Sequence, residues 1–219
     1  MNVLIEQLES CGVIPVIQID RVDDALPLAE ALIEGGLPCA EITFRTPCAA
    51  QAIRQISAHY PQMLLGAGTV LTPEQADEAA DAGAHFIVSP GLNESTVRHC
   101  LQRGYAVIPG VCTPSDIERG LSLGLSYLKF FPAQAAGGVA MLKAMSAPYG
   151  RIRFMPTGGI GQDQLEEYLT KPFVFACGGS YIAPSADIAA GRFDKIKQTA
   201  RQSVLAVEEI RRNDAGRNK

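Results

Sequence analysis

Eight short apolar runs, most rich in β-branched residues, punctuate this chain at intervals of about 20 to 26 residues. They are Val13–Ile17, Cys39–Phe44, Met63–Ala67, His85–Val88, Ala106–Pro109, Tyr127–Phe131, Arg153–Pro156 and Phe173–Ala176. The stretches between them follow helical grammar. Asp23–Glu34 opens on two aspartates and stops at Gly35-Gly36; Pro73–Ala82 follows a capping Thr72 and stops at Gly83; Ser115–Gly120 and Gln162–Leu169 repeat the pattern. Alternation of short strands with helices indicates parallel β-α-β units. Eight units can close into a (β/α)8 TIM barrel, and 219 residues lies near the lower end for that fold. A doubly wound open sheet is the rival. It usually carries G-x-G-x-x-G after its first strand, where this chain has QIDRVDD. The expectation is an α/β chain, one barrel domain over residues 1–219 with an extra N-terminal helix in residues 1–12. Phe193–Arg212 should be the last outer helix and Asn213–Lys219 a frayed tail.

Composition narrows the function. Hydrophobic residues make up 47% of the chain and charged residues 19%, enough apolar material for a sizeable core. The net charge of -4 and the lack of a dense Lys/Arg cluster argue against a nucleic-acid partner, and no apolar run approaches the roughly 18 residues that suggest a membrane span. The N-terminal MNVLIEQLESCG does not read as a signal peptide. Six scattered cysteines without a C-x-x-C read as reduced thiols of a cytoplasmic protein. His59, His85 and His99 form no close ligand pair, so neither a metal nor a cofactor is expected.

Barrel strands alternate between the interior and the helices, and reactive groups of this fold gather at the strands' C-terminal ends. In CAEITFRTP, Ala40, Ile42 and Phe44 share one parity; Glu41, Thr43 and Arg45 share the other and should point inward and toward the mouth. A carboxylate and a guanidinium there are costly unless they pair or meet a ligand. They form either a buried ion pair or an acid/base group beside an anion-binding arginine. In SYLKFFPA, Lys129 shares parity with Phe131. Lost hydration disfavours its charged form and leaves the neutral amine, which attacks ketones. The alternative is a lysine that snorkels out at the strand end. PTGGI (Pro156–Ile160) and CGGSY (Cys177–Tyr181) follow the seventh and eighth runs, where barrels often bind phosphate on backbone N–H groups; ordinary turn glycines are the other reading. In GAGTV, Thr69 offers a hydroxyl. VSPG and IPGVCTPS put prolines, among them Pro90, into the mouth loops.

The motifs EITFRT, GAGTVL, SPGL, PGVCTPS, LKFFPA, PTGGI and GGSY, in this order, resemble those of the bacterial 2-dehydro-3-deoxy-6-phosphogluconate (KDPG) aldolases, a family that includes 4-hydroxy-2-oxoglutarate (KHG) aldolases. The resemblance runs from Ile14–Ile17 to the last helix. It implies a homotrimeric, cofactor-free, class I aldolase on a (β/α)8 barrel. Lys129 would form the Schiff base and Glu41 would be the general acid/base. Arg45 and Thr69 would hold the pyruvyl carboxylate, Thr157 would sit by the reacting carbons, and Pro90 and Phe131 would wall the pocket. Gly158, Gly159, Gly179 and Ser180 would receive the phosphate. The chain departs from the pattern at Gln134, often Glu, and at Tyr181, often Trp. The 6-phosphogalactonate analogue as substrate, a phosphosugar isomerase or epimerase on the same barrel, and a silent phosphosugar-binding barrel are the alternatives.

Overall fold

The computed structural model describes residues 2–217. A helix, α1 (Asn2–Cys11), comes first, as expected. The strands are β1 (Val13–Ile17), β2 (Cys39–Thr43), β3 (Leu64–Gly68), β4 (Phe86–Val88), β5 (Val107–Ile108), β6 (Gly110–Val111), β7 (Tyr127–Phe130), β8 (Arg153–Pro156) and β9 (Cys177–Gly179). Helices α2 (Ala25–Glu34), α3 (Ala49–His59), α4 (Pro73–Asp81), α5 (Glu94–Arg103), α6 (Pro114–Ser122), α7 (Gly138–Ser146), α8 (Leu165–Leu169), α9 (Ser185–Ala189) and α10 (Phe193–Arg217) lie between and after them. Every pairing is parallel. The strands form a curled six-stranded sheet in the order β5-β4-β3-β2-β1-β9 and a three-stranded sheet β6-β7-β8. Two isolated parallel bridges, Phe154 to Val174 and Thr157 to Gly178, run from the β8 side to the β9 side.

Local chemistry explains the boundaries. Thr72 caps α4 by accepting from the Gln75 N–H, with Pro73 at the first helical position. Thr113 and Asp116 form a capping box at α6. On α3 the buried Ala49, Ala52, Ile53 and Ile56 recur at helical spacing and turn one face inward. The strands are buried on both sides, as parallel sheets require.

Three expectations need correction. The expected Phe173–Ala176 pairs only through the bridge of Val174 to Phe154, and the ladder of the eighth strand with β1 runs over Cys177–Gly179, with Cys177 beside Val13 and Gly178 beside Ile14. Glycine is required there: a Cβ on Gly178 would stand 2.4 Å from Thr157 Oγ1. Thus Gly179 belongs to the strand, and the loop begins at Ser180. The fifth run is broken at Pro109, whose missing N–H interrupts the ladder between β5 and β6. The frayed tail is helical through Arg217, with Asn218 and Lys219 outside the described residues. Arg211 ties this helix down by donating to the carbonyls of Ser10 and Glu9 at the end of α1.

Candidate active site

Glu41 and Lys129, 88 residues apart, meet inside the curl. Lys129 Nζ donates to Glu41 Oε1 at 3.5 Å, and the two side chains are 6% and 0% exposed. Glu41 Oε2 is buried and has no hydrogen-bond partner among the described residues. Gly68, on the neighbouring strand, makes room for this carboxylate: a Cβ there would lie 2.0 Å from Glu41 Oε1. The Phe131 ring covers the amine, its centroid 5.3 Å from Nζ. The Phe131–Pro132 peptide bond is cis.

A cavity of about 340 Å³ opens at the C-terminal ends of the strands, with the Phe131 ring that covers the amine in its lining. Ile17 and Gln18 come from the end of β1, Thr43 and Arg45 from β2, and Phe131 from β7. Thr157 and Gly158 follow β8, and Ser180, Pro184 and Ser185 follow β9. Buried Thr43 donates to the Ile17 carbonyl at 3.0 Å. Arg45 is exposed and forms no ion pair among the described residues. Thr157 is 6% exposed and donates weakly to the Met155 carbonyl at 3.4 Å.

Known proteins resemble this chain over most of its length. Residues 4–199 match the KDPG and KHG aldolase family. The 2-dehydro-3-deoxy-phosphogluconate aldolase of Treponema pallidum is 50% identical over 207 residues, 94% of this chain and 99% of that protein. The KHG/KDPG aldolase of Escherichia coli K12 is 42% identical over 88% of this chain and 90% of its own. The solved structure of the Legionella pneumophila KDPG aldolase, with pyruvate captured at low pH as a covalent carbinolamine intermediate, superposes with a TM-score of 0.88. It is 41% identical, covering 91% of this chain and 97% of that one.

The chain belongs to the KDPG and KHG aldolase family.

For a KDPG/KHG aldolase, the sequence-derived residues fall into two groups. Arg45, Phe131, Thr157, Gly158 and Ser180 line the cavity, while Lys129 and Glu41 form the buried pair behind Phe131, off that lining. The other four also lie off its lining. Thr69 follows β3, half-buried, with φ of 57°, a left-handed conformation that strains a β-branched residue. Pro90 follows β4, its carbonyl packed against Gly110. Gly159 is exposed beside Gln134, and Gly179 is buried in β9 against Pro15. Sequence reasoning assigned no role to Gln18, Thr43, Ser185 or Gly68. The inward parity of Thr43 and the strand-end position of Gln18 were readable signals; the space around Gly68 was not. Both departures from the family pattern have local partners. Gln134 donates to the Tyr168 hydroxyl at 3.1 Å, and the Tyr181 hydroxyl meets Ser203 on α10 at 2.9 Å. Among the described residues no three His, Cys, Asp or Glu are grouped to hold a metal ion, and no helix is long and apolar enough to cross a membrane.

Proposed function

We propose that this protein is a Schiff-base lyase that reversibly cleaves 2-dehydro-3-deoxy-6-phosphogluconate to pyruvate and glyceraldehyde 3-phosphate, and that it also cleaves 4-hydroxy-2-oxoglutarate to pyruvate and glyoxylate. The observation that carries this reading is the buried Lys129–Glu41 contact with one carboxylate oxygen left free. A buried carboxylate oxygen without a partner costs on the order of 1–3 kcal/mol, a cost that makes sense where a substrate hydroxyl supplies the missing bond.

Neutral Lys129 attacks the C2 ketone of the 2-keto acid, and loss of water gives an iminium. Glu41 takes the proton of the C4 hydroxyl through its free Oε2, directly or through a water. The C3–C4 bond breaks, the aldehyde leaves, and an enamine of pyruvate remains on Lys129. Protonation at C3 and hydrolysis release pyruvate. The covalent route divides one hard cleavage into easier steps. Arg45 grips the carboxylate and orients C2 toward the amine, with Thr69 as the second carboxylate contact. Its strained backbone accords with a functional position. Thr157 stands at the reacting carbons, and Phe131 and Pro90 wall the pocket. The Gly158-Gly159 and Gly179-Ser180 segments take the phosphate.

The same reading makes residues 1–219 one domain, a closed (β/α)8 barrel behind the N-terminal helix. Support comes from Pro109, which alone separates β5 from β6, and from the two bridges between the β8 and β9 sides. A cytoplasmic homotrimer without a cofactor completes the proposal. All six cysteines are free thiols, in keeping with a reducing compartment. The exposed Leu71 and Leu101 offer apolar surface to a neighbouring subunit. The test is borohydride reduction in the presence of pyruvate, which should leave a stable adduct on the peptide carrying Lys129. An unmodified Lys129 in a fully active protein would overturn the reading.

A further inference from the structure

At the face opposite the cavity, where the strands begin, two cysteines from different elements come together. Cys11 is the last residue of α1, and Cys39 the first of β2. The register Val16–Glu41 continues back to set Cys39 near Ile14, and Gly12, with φ of 71°, turns the end of α1 back toward that strand. The Cys39 thiol reaches the Val13 carbonyl at 3.8 Å. Cys39 is buried, whereas Cys11 is half-buried and lines a separate cavity of about 290 Å³ with Ser10, Leu37, Pro38, Val207 and Arg211.

We propose that Cys11 and Cys39 are a modification site, a thiol pair that a small peroxide oxidises to a reversible disulfide.

The two sulfurs are unequal in a way that suits this order of events. A hydrogen bond from Cys39, then one from Ser10 and the Arg211 charge, hold the Cys11 thiol below its ordinary value against the opposing effect of burial. The Cys11 interaction, followed by burial, pushes Cys39 well up. Thiolate character and access together select the thiol that reacts first. Cys11 thiolate attacks the peroxide: its S–O bond forms, the O–O bond breaks, and the leaving hydroxide takes a proton. Cys39 then gives up its proton, and its sulfur attacks Cys11 sulfur. The S–S bond forms, the S–O bond breaks and water leaves. Two thiols lose two electrons, and one hydrogen peroxide becomes two waters. The other thiols serve as internal controls. Burial pushes Cys100 up to about 11 and Cys177 further still, while Cys48 and Cys112 are half-buried like Cys11 but have no cysteine partner.

Tryptic cleavage at Arg21 and Arg45 separates the pair into adjacent fragments, 1–21 and 22–45. After brief exposure of the native protein to hydrogen peroxide, a non-reducing digest should hold these fragments joined and lighter by two hydrogen atoms. Dithiothreitol should release them. Cys11 should be consumed at least about tenfold faster than Cys48 or Cys112. In Cys39→Ala, dimedone should label Cys11 as a sulfenic acid; in Cys11→Ser, Cys39 should remain a thiol. If either variant fails to fold, the wild-type digest decides alone. Oxidation of Cys48 or Cys112 ahead of Cys11, or an oxidised Cys11 never joined to Cys39, would overturn the proposal.

Discussion

In the proposed mechanism Lys129 and Glu41 divide the chemistry in a way that single substitutions separate. Removing the amine removes the covalent route, so Lys129→Ala should lower turnover by on the order of 10⁴-fold or more, as loss of other covalent nucleophiles does. It should also abolish borohydride trapping. Glu41→Gln keeps the shape and one acceptor oxygen but loses the base. Cleavage, followed by coupling pyruvate to lactate dehydrogenase, should slow by roughly 10²–10⁴-fold, while pyruvate still gives an adduct on Lys129. Loss of the adduct as well would make Glu41 necessary for imine formation rather than for bond cleavage. Gly68 sets the position of that carboxylate, because a Cβ there would overlap Glu41 Oε1. Gly68→Ala should therefore lower kcat while circular dichroism reports a folded chain. The inward parity of Glu41 and Lys129 was legible in the sequence because strands alternate with period two. Their contact was not, since 88 residues of chain separate them and no local pattern encodes which strands face each other. The left-handed backbone of Thr69 left no trace either, being imposed by its surroundings against its own preference.

Among the elements, α1 is fastened to the strands by an ion pair. Arg153 at the start of β8 grips both carboxylate oxygens of Glu9, at 2.9 and 2.6 Å. Its hydrogen bond, then its charge and that of Arg211, hold the Glu9 carboxyl below its ordinary value near 4.5, while burial opposes. A carboxylate depressed in the folded state contributes stability fully above its unfolded value and loses it as pH falls through the lower folded value. Wild type should therefore lose more melting temperature than Glu9→Gln as pH falls below about 4.5. The difference should be small, because Glu9 is 44% exposed and the pair is screened. A steeper acid loss in the variant would refute this. Strands with strong apolar runs, Val13–Ile17 and Arg153–Pro156, were read at their true boundaries. The eighth was read at the apolar Phe173–Ala176, because hydrophobicity marks burial while backbone pairing there depends on glycines that carry no strand signal. Helix α10 runs past its expected end at Arg212 to Arg217, and within it Arg211 binds the carbonyls of another element, a tertiary contact that local propensity cannot reveal.

For the whole molecule, the decisive joint lies between the β8 and β9 sides, where Thr157 bridges Gly178. Thr157 borders the cavity at the strand ends, so this joint links the integrity of the strand array to the proposed site. A Cβ on Gly178 would lie 2.4 Å from Thr157 Oγ1, 2.8 Å from its Cγ2 and 3.0 Å from its Cβ. Gly178→Ala must therefore push Thr157 or the strand aside, and overpacking of this kind typically costs about 1–3 kcal/mol. Because β9 also pairs with β1, the damage should spread. Melting temperature and kcat should fall together, rather than activity alone as expected for Gly68→Ala. A double-mutant cycle isolates the joint. Thr157→Ala removes the two nearest atoms and leaves the contact at 3.0 Å, so the double variant Thr157→Ala/Gly178→Ala should recover part of the melting temperature lost in Gly178→Ala. It should not recover the activity, because the hydroxyl proposed to stand beside the reacting carbons is gone. Strictly additive losses in stability would mean that the two strands are not coupled through this contact, and the case for a closed ring would lose its strongest physical support.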